Sequence, residues 1–131
     1  MARKYIYWIS TALLSALYLM SATFYLTQSD TVRQLLGQLG FPGYLVPLLI
    51  TVKLLGVAAI LSRISVGLSD LAYSGMFFHL LLALSAHLNT SDYAGSVPAL
   101  LGLGVLVLSF TTQNAARAKP SPYAASQPAG T

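Results

Sequence analysis

The 131-residue chain has no cysteine, no glutamate and little charge of any kind: charged residues make up 8% of it, hydrophobic ones 56%. Without cysteine there is no disulfide, no thiol nucleophile and no thiolate ligand for zinc or an iron–sulfur cluster. There is also no haem-ligation pattern and no phosphate-binding glycine loop, so the chain reads as no enzyme on its own. It has no intrinsic cofactor, and any redox role must be borrowed from a ligand or a partner. A soluble domain carries roughly 25% charged residues to face water, so a chain this poor in them is solvated mainly by lipid.

Seven Lys and Arg against three Asp leave a net charge of +4. In a soluble protein that would raise the question of nucleic acid. Here the bases flank apolar runs, as topology signals do, and nucleic acid drops out as a partner.

Four apolar runs are long enough to cross a bilayer: 5–26, 44–61, 66–88 and 97–112. At 1.5 Å per residue they cover roughly 24 to 35 Å, which matches a hydrocarbon core of about 30 Å. The sequence therefore predicts an all-α, four-helix transmembrane bundle formed by a single domain over residues 1–114. The last run is the shortest and can begin a turn earlier, near Tyr93, with Pro98 tolerated in its first turn. The first run exceeds the apolar stretch of a secretory signal and reads as a span.

Arg3 and Lys4 precede the first run, Arg63 lies between the second and third, and Arg117 and Lys119 follow the fourth. Four crossings place all five at one end, leaving Arg33, Asp30 and Asp92 at the other. By the positive-inside rule both termini are cytoplasmic, and 27–43 and 89–96 face outward. Asp70 then falls near the cytoplasmic start of the third span. Tyr5, Tyr7 and Trp8 at one border, and Tyr25, Phe41, Tyr44 and Tyr93 at the other, read as interfacial belts.

Within the outer segment, Ser29 or Asp30 is a possible cap, and apolar residues at 32, 35, 36 and 39 suit a short amphipathic helix lying in the interface. Gly40-Phe41-Pro42-Gly43 ends it. From 115 to 131 large apolar side chains are scarce, and the composition predicts a disordered cytoplasmic tail.

Lys53 stands near the middle of the second run, where neither headgroup layer is within easy reach. A lysine at that depth costs about 2.5–3.5 kcal/mol on insertion scales, which marks it as an inward-facing functional group. His79 on the antiparallel third run shares its depth, roughly 13 Å below the outer boundary, and Tyr18 on the first run lies at the same level. Thr11, Ser15, Tyr18 and Tyr25 form one helical stripe of hydroxyls. No carboxylate lies inside any span. Two readings stay open: Lys53, His79 and Tyr18 line a cavity and bind a carbonyl of an apolar ligand such as a quinone, or they hold three helices together.

His87 sits beside the outer end with Asp92 close behind, a pair suited to an outer hydrogen-bonded cap. The two histidines are about 80° apart around the helix, so the spacing argues against a metal site. Gly56, Ala58, Ala59, Ala72, Gly75, Ala83, Ala86, Gly102 and Gly104 first of all let helices approach closely.

Tyr7 and Trp8 with Thr11, Gly40-Phe41-Pro42 before Tyr44, Lys53-Leu54-Leu55-Gly56, Ala72-Tyr73-Ser74-Gly75, and His87 before Asp92 follow in fixed order. Together, over about residues 5–112, they resemble the DoxX-like family of small four-helix membrane proteins. Lys53, Gly56, Tyr73, Gly75, His87 and Asp92 fall on the family's motif positions. The pattern departs in two places: Ala86 separates Ser85 from His87, and Ser91 stands where the family has glycine. His79 lies outside the motifs. The resemblance implies a multi-pass protein of the bacterial inner membrane. Characterised relatives are similar to the membrane subunit of a thiosulfate:quinone oxidoreductase, to part of a mycobacterial oxidative-stress complex and, more distantly, to receptor-assembly chaperones. The expected function is a quinone-interacting or anchoring subunit of a membrane oxidoreductase assembly, partnered by another membrane or redox protein. The alternative is a chaperone-like interaction protein without ligand chemistry.

Overall fold

In the computed structural model, which describes residues 2–117 and 120–124, the chain is helical almost throughout. The elements are α1 (Ala2–Thr27), α2 (Ser29–Gln38), α3 (Leu45–Ser62), α4 (Val66–Asn89) and α5 (Tyr93–Thr112), the last running into a 3-10 turn at Gln113–Ala116. Four of them, α1, α3, α4 and α5 with its turn, are long and apolar enough to cross a membrane. They close a ring: α1 packs on α3 and α5, and α4 packs on the same two. α1 and α4 therefore face each other diagonally across the bundle axis.

The helix borders follow from caps. Ser65 opens α4 by accepting the Leu68 N–H at 3.3 Å. Asp92 opens α5 by accepting the Gly95 N–H at 3.0 Å, which starts the helix at Tyr93. Pro98 thus lies in the second turn, one turn deeper than expected. α1 likewise begins at Ala2, ahead of the expected Tyr5. The cap expected at Ser29 or Asp30 does not form. Gln28 occupies that position without a side-chain bond, and the Ser29 hydroxyl donates instead to the Tyr25 carbonyl at 2.8 Å, satisfying the end of α1.

α2 lays Val32 and Leu36 against Val46, with Tyr25, Phe41 and Leu45 packed alongside. The main core joins Leu14, Tyr18, Val57, Ile60, Tyr73, Met76, Leu80 and Leu106. Leu13, Met20, Leu55, Leu71, Phe78 and Leu101 point outward, as an apolar solvent permits. At Gly102 a Cβ would come within 2.9 Å of Leu80 Cδ2, so the missing side chain lets α4 and α5 meet closely.

Two aromatic residues depart from the belt reading. Tyr7 is fully buried and Tyr25 is half-buried, whereas Tyr5, Trp8, Tyr44 and Tyr93 are exposed at the borders. The cause is helix phase: Tyr7 and Tyr25 lie on the inward face of α1 with Thr11, Ser15 and Tyr18.

Part of the segment expected as a tail is held against the bundle. Ser121 is buried; its N–H donates to Asn114 Oδ1 at 2.7 Å and its hydroxyl to Asp70 at 2.7 Å. The second Asp70 oxygen accepts from Gln113 Nε2 at 3.1 Å, and Gln113 in turn accepts from Arg117 at 2.9 Å. Polar bonds rather than apolar burial hold this segment, which is why a composition poor in large apolar residues did not forecast it. The rest of the expected tail, Lys119 included, lies outside the described residues.

Candidate functional site

Two polar layers cross the bundle, and they differ in kind. In the layer nearer the termini the Ser109 hydroxyl of α5 bonds Thr11 of α1 at 2.6 Å and Tyr73 of α4 at 2.6 Å. All three residues are at most 2% exposed, and each hydroxyl has a partner. This layer ties three helices together and leaves nothing on offer. Tyr73, a motif position, belongs to it and packs edge-on against Phe110.

The layer nearer α2 contains the three residues singled out in the sequence, and the fold brings them together. Tyr18 of α1 and His79 of α4 share a hydrogen bond of 2.9 Å between the phenol oxygen and Nδ1. Among the described residues the phenol's one other hydrogen bond is to the Met76 carbonyl at 3.5 Å, at the outer limit for such a bond. With the phenol donating to Nδ1, the ring hydrogen lies on Nε2. Among the described residues nothing accepts from Nε2.

Lys53 of α3 completes the layer. Its side chain is buried at 4% exposure, and among the described residues the amine makes neither a hydrogen bond nor an ion pair. It lies 5.4 Å from the centroid of the Tyr18 ring and 4.7 Å from that of Tyr25. Desolvated cation–π contacts reach about 2 kcal/mol each, so two rings go far to offset an insertion cost of about 3 kcal/mol. Ring faces lower the cost of the charge. They leave the amine's donors without an oxygen to bond.

These groups open onto a cavity of about 350 Å³ on the bundle axis, to which all four long helices contribute. Lys53, His79, Tyr18 and Tyr25 line one part of it, and His87 and Gly95 line the part nearest the α4–α5 turn. Volumes of 300 Å³ and above hold small organic ligands. The sequence placed Tyr25 both in the α1 hydroxyl stripe and in the border belt; the structure puts it on the stripe, two turns of helix from Tyr18, with its ring beside the Lys53 amine.

His87 and Asp92 form a separate unit at the α4–α5 turn. His87 Nδ1 lies 2.9 Å from Asp92 Oδ2, while Asp92 Oδ1 caps α5. The Gly95 N–H, and after it the His87 bond, hold the Asp92 carboxyl below the usual carboxylate range. A Cβ at Gly95 would run into both the carboxylate and the imidazole, so the unit needs glycine there. Ser91, just before it, adopts a left-handed backbone with φ 58°. The motif glycines divide: a Cβ at Gly56 would press on Met76 Cε at 2.9 Å, whereas Gly75 is exposed with open space before it.

A family model described as DoxX-like matches residues 9–111, a stretch that draws on all four long helices and holds every residue of both polar layers. No curated protein and no solved structure matches the chain.

Proposed function

The chain belongs to the DoxX-like family and is a multi-pass membrane protein, and from that premise we propose that it serves as the quinone-binding, anchoring subunit of a membrane oxidoreductase assembly. The observation that carries this reading is Lys53: the residue is buried, its amine has no hydrogen-bond acceptor among the described residues, and it lines a cavity together with His79, whose Nε2 is likewise without a partner there. Two donors converging on an apolar chamber suit one carbonyl oxygen of a neutral, ring-shaped ligand. Tyr18 acts by positioning, since its bond to Nδ1 sets which imidazole nitrogen can donate.

A quinone bound there would supply the electron-carrying chemistry that a chain without cysteine or haem ligation lacks. The chain's own residues hold the oxygen, fix the imidazole and exclude water. Electrons come from a partner protein. The interaction-protein reading explains the closed Thr11–Ser109–Tyr73 layer well, but it gives no use for the open donors above it.

Orientation belongs to the same proposal. Arg3, Lys4, Arg63 and Arg117 share the end of the bundle where α1 begins and α5 ends, and Arg33 lies at the α2 end paired with Asp30 at 3.3 Å. The positive-inside rule then puts the termini in the cytoplasm of a bacterial inner membrane and α2 on the outer surface.

The test is solvent extraction of gently purified protein followed by mass spectrometry. The parent retains quinone and Lys53→Met loses most of it. Equal retention by the two, or none by the parent, would sink the reading.

A further inference from the structure

The Lys53 layer has a second opening that the bundle-axis cavity does not account for. Between α3 and α4 runs a groove of about 520 Å³, and Tyr18, Lys53 and His79 form one end of it. From there it passes between Gly56 and Ala59 of α3 and Ala72 and Gly75 of α4 toward Leu68 and Leu71. From His79 to Leu68 is eleven residues of helix, about 16 Å along the axis. The three polar residues are confined to one end, and the remainder is apolar. At Gly75 nothing stands within 4 Å of where a Cβ would project, so the α4 wall is open there, while the Met76 side chain packs against Gly56 on the α3 wall.

We propose that this groove takes the apolar chain of the same ligand whose oxygen meets Lys53, so that the ligand enters sideways from the bilayer and not along the bundle axis. The inference rests on the quinone reading above and adds the substrate class: a quinone with a long hydrocarbon tail. The argument is one of polarity and continuity. The amine of a buried lysine, without an acceptor among the described residues, lies at one end of an otherwise apolar slot, and an amphiphile with one carbonyl head and one chain satisfies both ends together. The slot gives the chain little hydrophobic gain, because the bilayer it leaves is just as apolar. Its contribution is steric. It lets the head reach a midplane donor while the tail stays out of the polar cavity.

The experiment measures affinities of the full-length protein in nanodiscs for two benzoquinones, one with a decyl chain and one with methyl groups only. Gly75→Phe fills the groove from its open side, and Gly104→Phe places the same ring on α5 at another glycine with open space before it. The ratio of decyl to methyl affinity is expected to fall about tenfold or more in Gly75→Phe and to stay put in Gly104→Phe. An unmoved ratio in Gly75→Phe overturns the groove assignment while leaving the head-group site standing. Binding of neither quinone by the parent overturns the head-group site itself, and the groove assignment with it.

A second measurement does not depend on the variant folding. A quinone with a diazirine at the chain end should label Leu68, Leu71 or Ala72 in the parent protein, and unlabelled quinone should compete it away. Labelling confined to α1 or α5, or competition by excess phospholipid and not by quinone, assigns the slot to bulk lipid and overturns the proposal.

Discussion

Tyr18 and His79, 61 residues apart in sequence and on helices that face each other diagonally, meet through a hydrogen bond of 2.9 Å. That bond orients the imidazole, and His79 and Lys53 line a common cavity. Replacing Tyr18 by Phe removes the phenol while keeping the ring that lies 5.4 Å from the amine. We expect a stability loss of about 1 kcal/mol, the net worth of one such bond. Quinone retention should fall in the same variant, because the imidazole is then free to turn. Thermal unfolding in detergent together with extraction checks both, and full retention would remove Tyr18 from the site.

Ser109→Ala separates gluing from binding. The serine hydroxyl serves both Thr11 and Tyr73, and its loss removes the partner that the two buried hydroxyls share. A cost of about 1–3 kcal/mol is expected, with quinone retention unchanged, since nothing in that layer borders the axial cavity. A variant that unfolds at the parental temperature would show that the layer does not tie the helices.

Ser91→Gly should stabilise the protein. A left-handed backbone costs a side-chain-bearing residue roughly 1–2 kcal/mol, part of which glycine returns as chain entropy. A net gain of about 0.5–1 kcal/mol is expected in the same unfolding assay, whereas Ser91→Val should destabilise.

The α4–α5 turn carries a pH dependence of known sign. The Asp92 carboxyl is held low by the Gly95 N–H first and by His87 next. A folded value below the unfolded one, about 3.9, means that the carboxylate's contribution is complete above that pH and is lost as pH falls through the folded value. The protection of the Gly95 amide, its exchange rate measured against the intrinsic rate at each pH, should therefore hold at neutral pH and fall only under acid. Asp92→Asn should show no such acid step, and Gly95→Ala should disturb the turn at every pH.

Reporter fusions after Asn114 and at Ser91 should report cytoplasm and exterior respectively. The reverse pattern would overturn the proposed orientation and would place α2 on the cytoplasmic face.

The polar layer shows how far one-dimensional reasoning reaches. Depth along a helix is linear in residue number, so Lys53, His79 and Tyr18 could be assigned a shared level from the sequence, and they meet. Tyr25 could not be placed that way. Its level belongs to the border, but the lysine stem brings the amine to within 4.7 Å of its ring. Side-chain reach is not a property of helix rise. For the same reason Ser29 was readable as a candidate cap of α2, and the bond its hydroxyl makes to the Tyr25 carbonyl instead was not.

By itself the sequence determined that this is a lipid-solvated, four-span helical protein, how deep each polar residue sits, and that an amine would lie far from either headgroup layer. Those follow from composition and a fixed rise per residue. Only the tertiary structure decided which polar layer is closed and which is open. It also decided that Ser121 returns to Asp70, and that a slot between α3 and α4 leads to Lys53. Each of these depends on how helices rotate about their axes and which neighbours they take. Among apolar helices in an apolar solvent that phase is set by close packing and a few hydrogen bonds, which residue spacing alone does not encode.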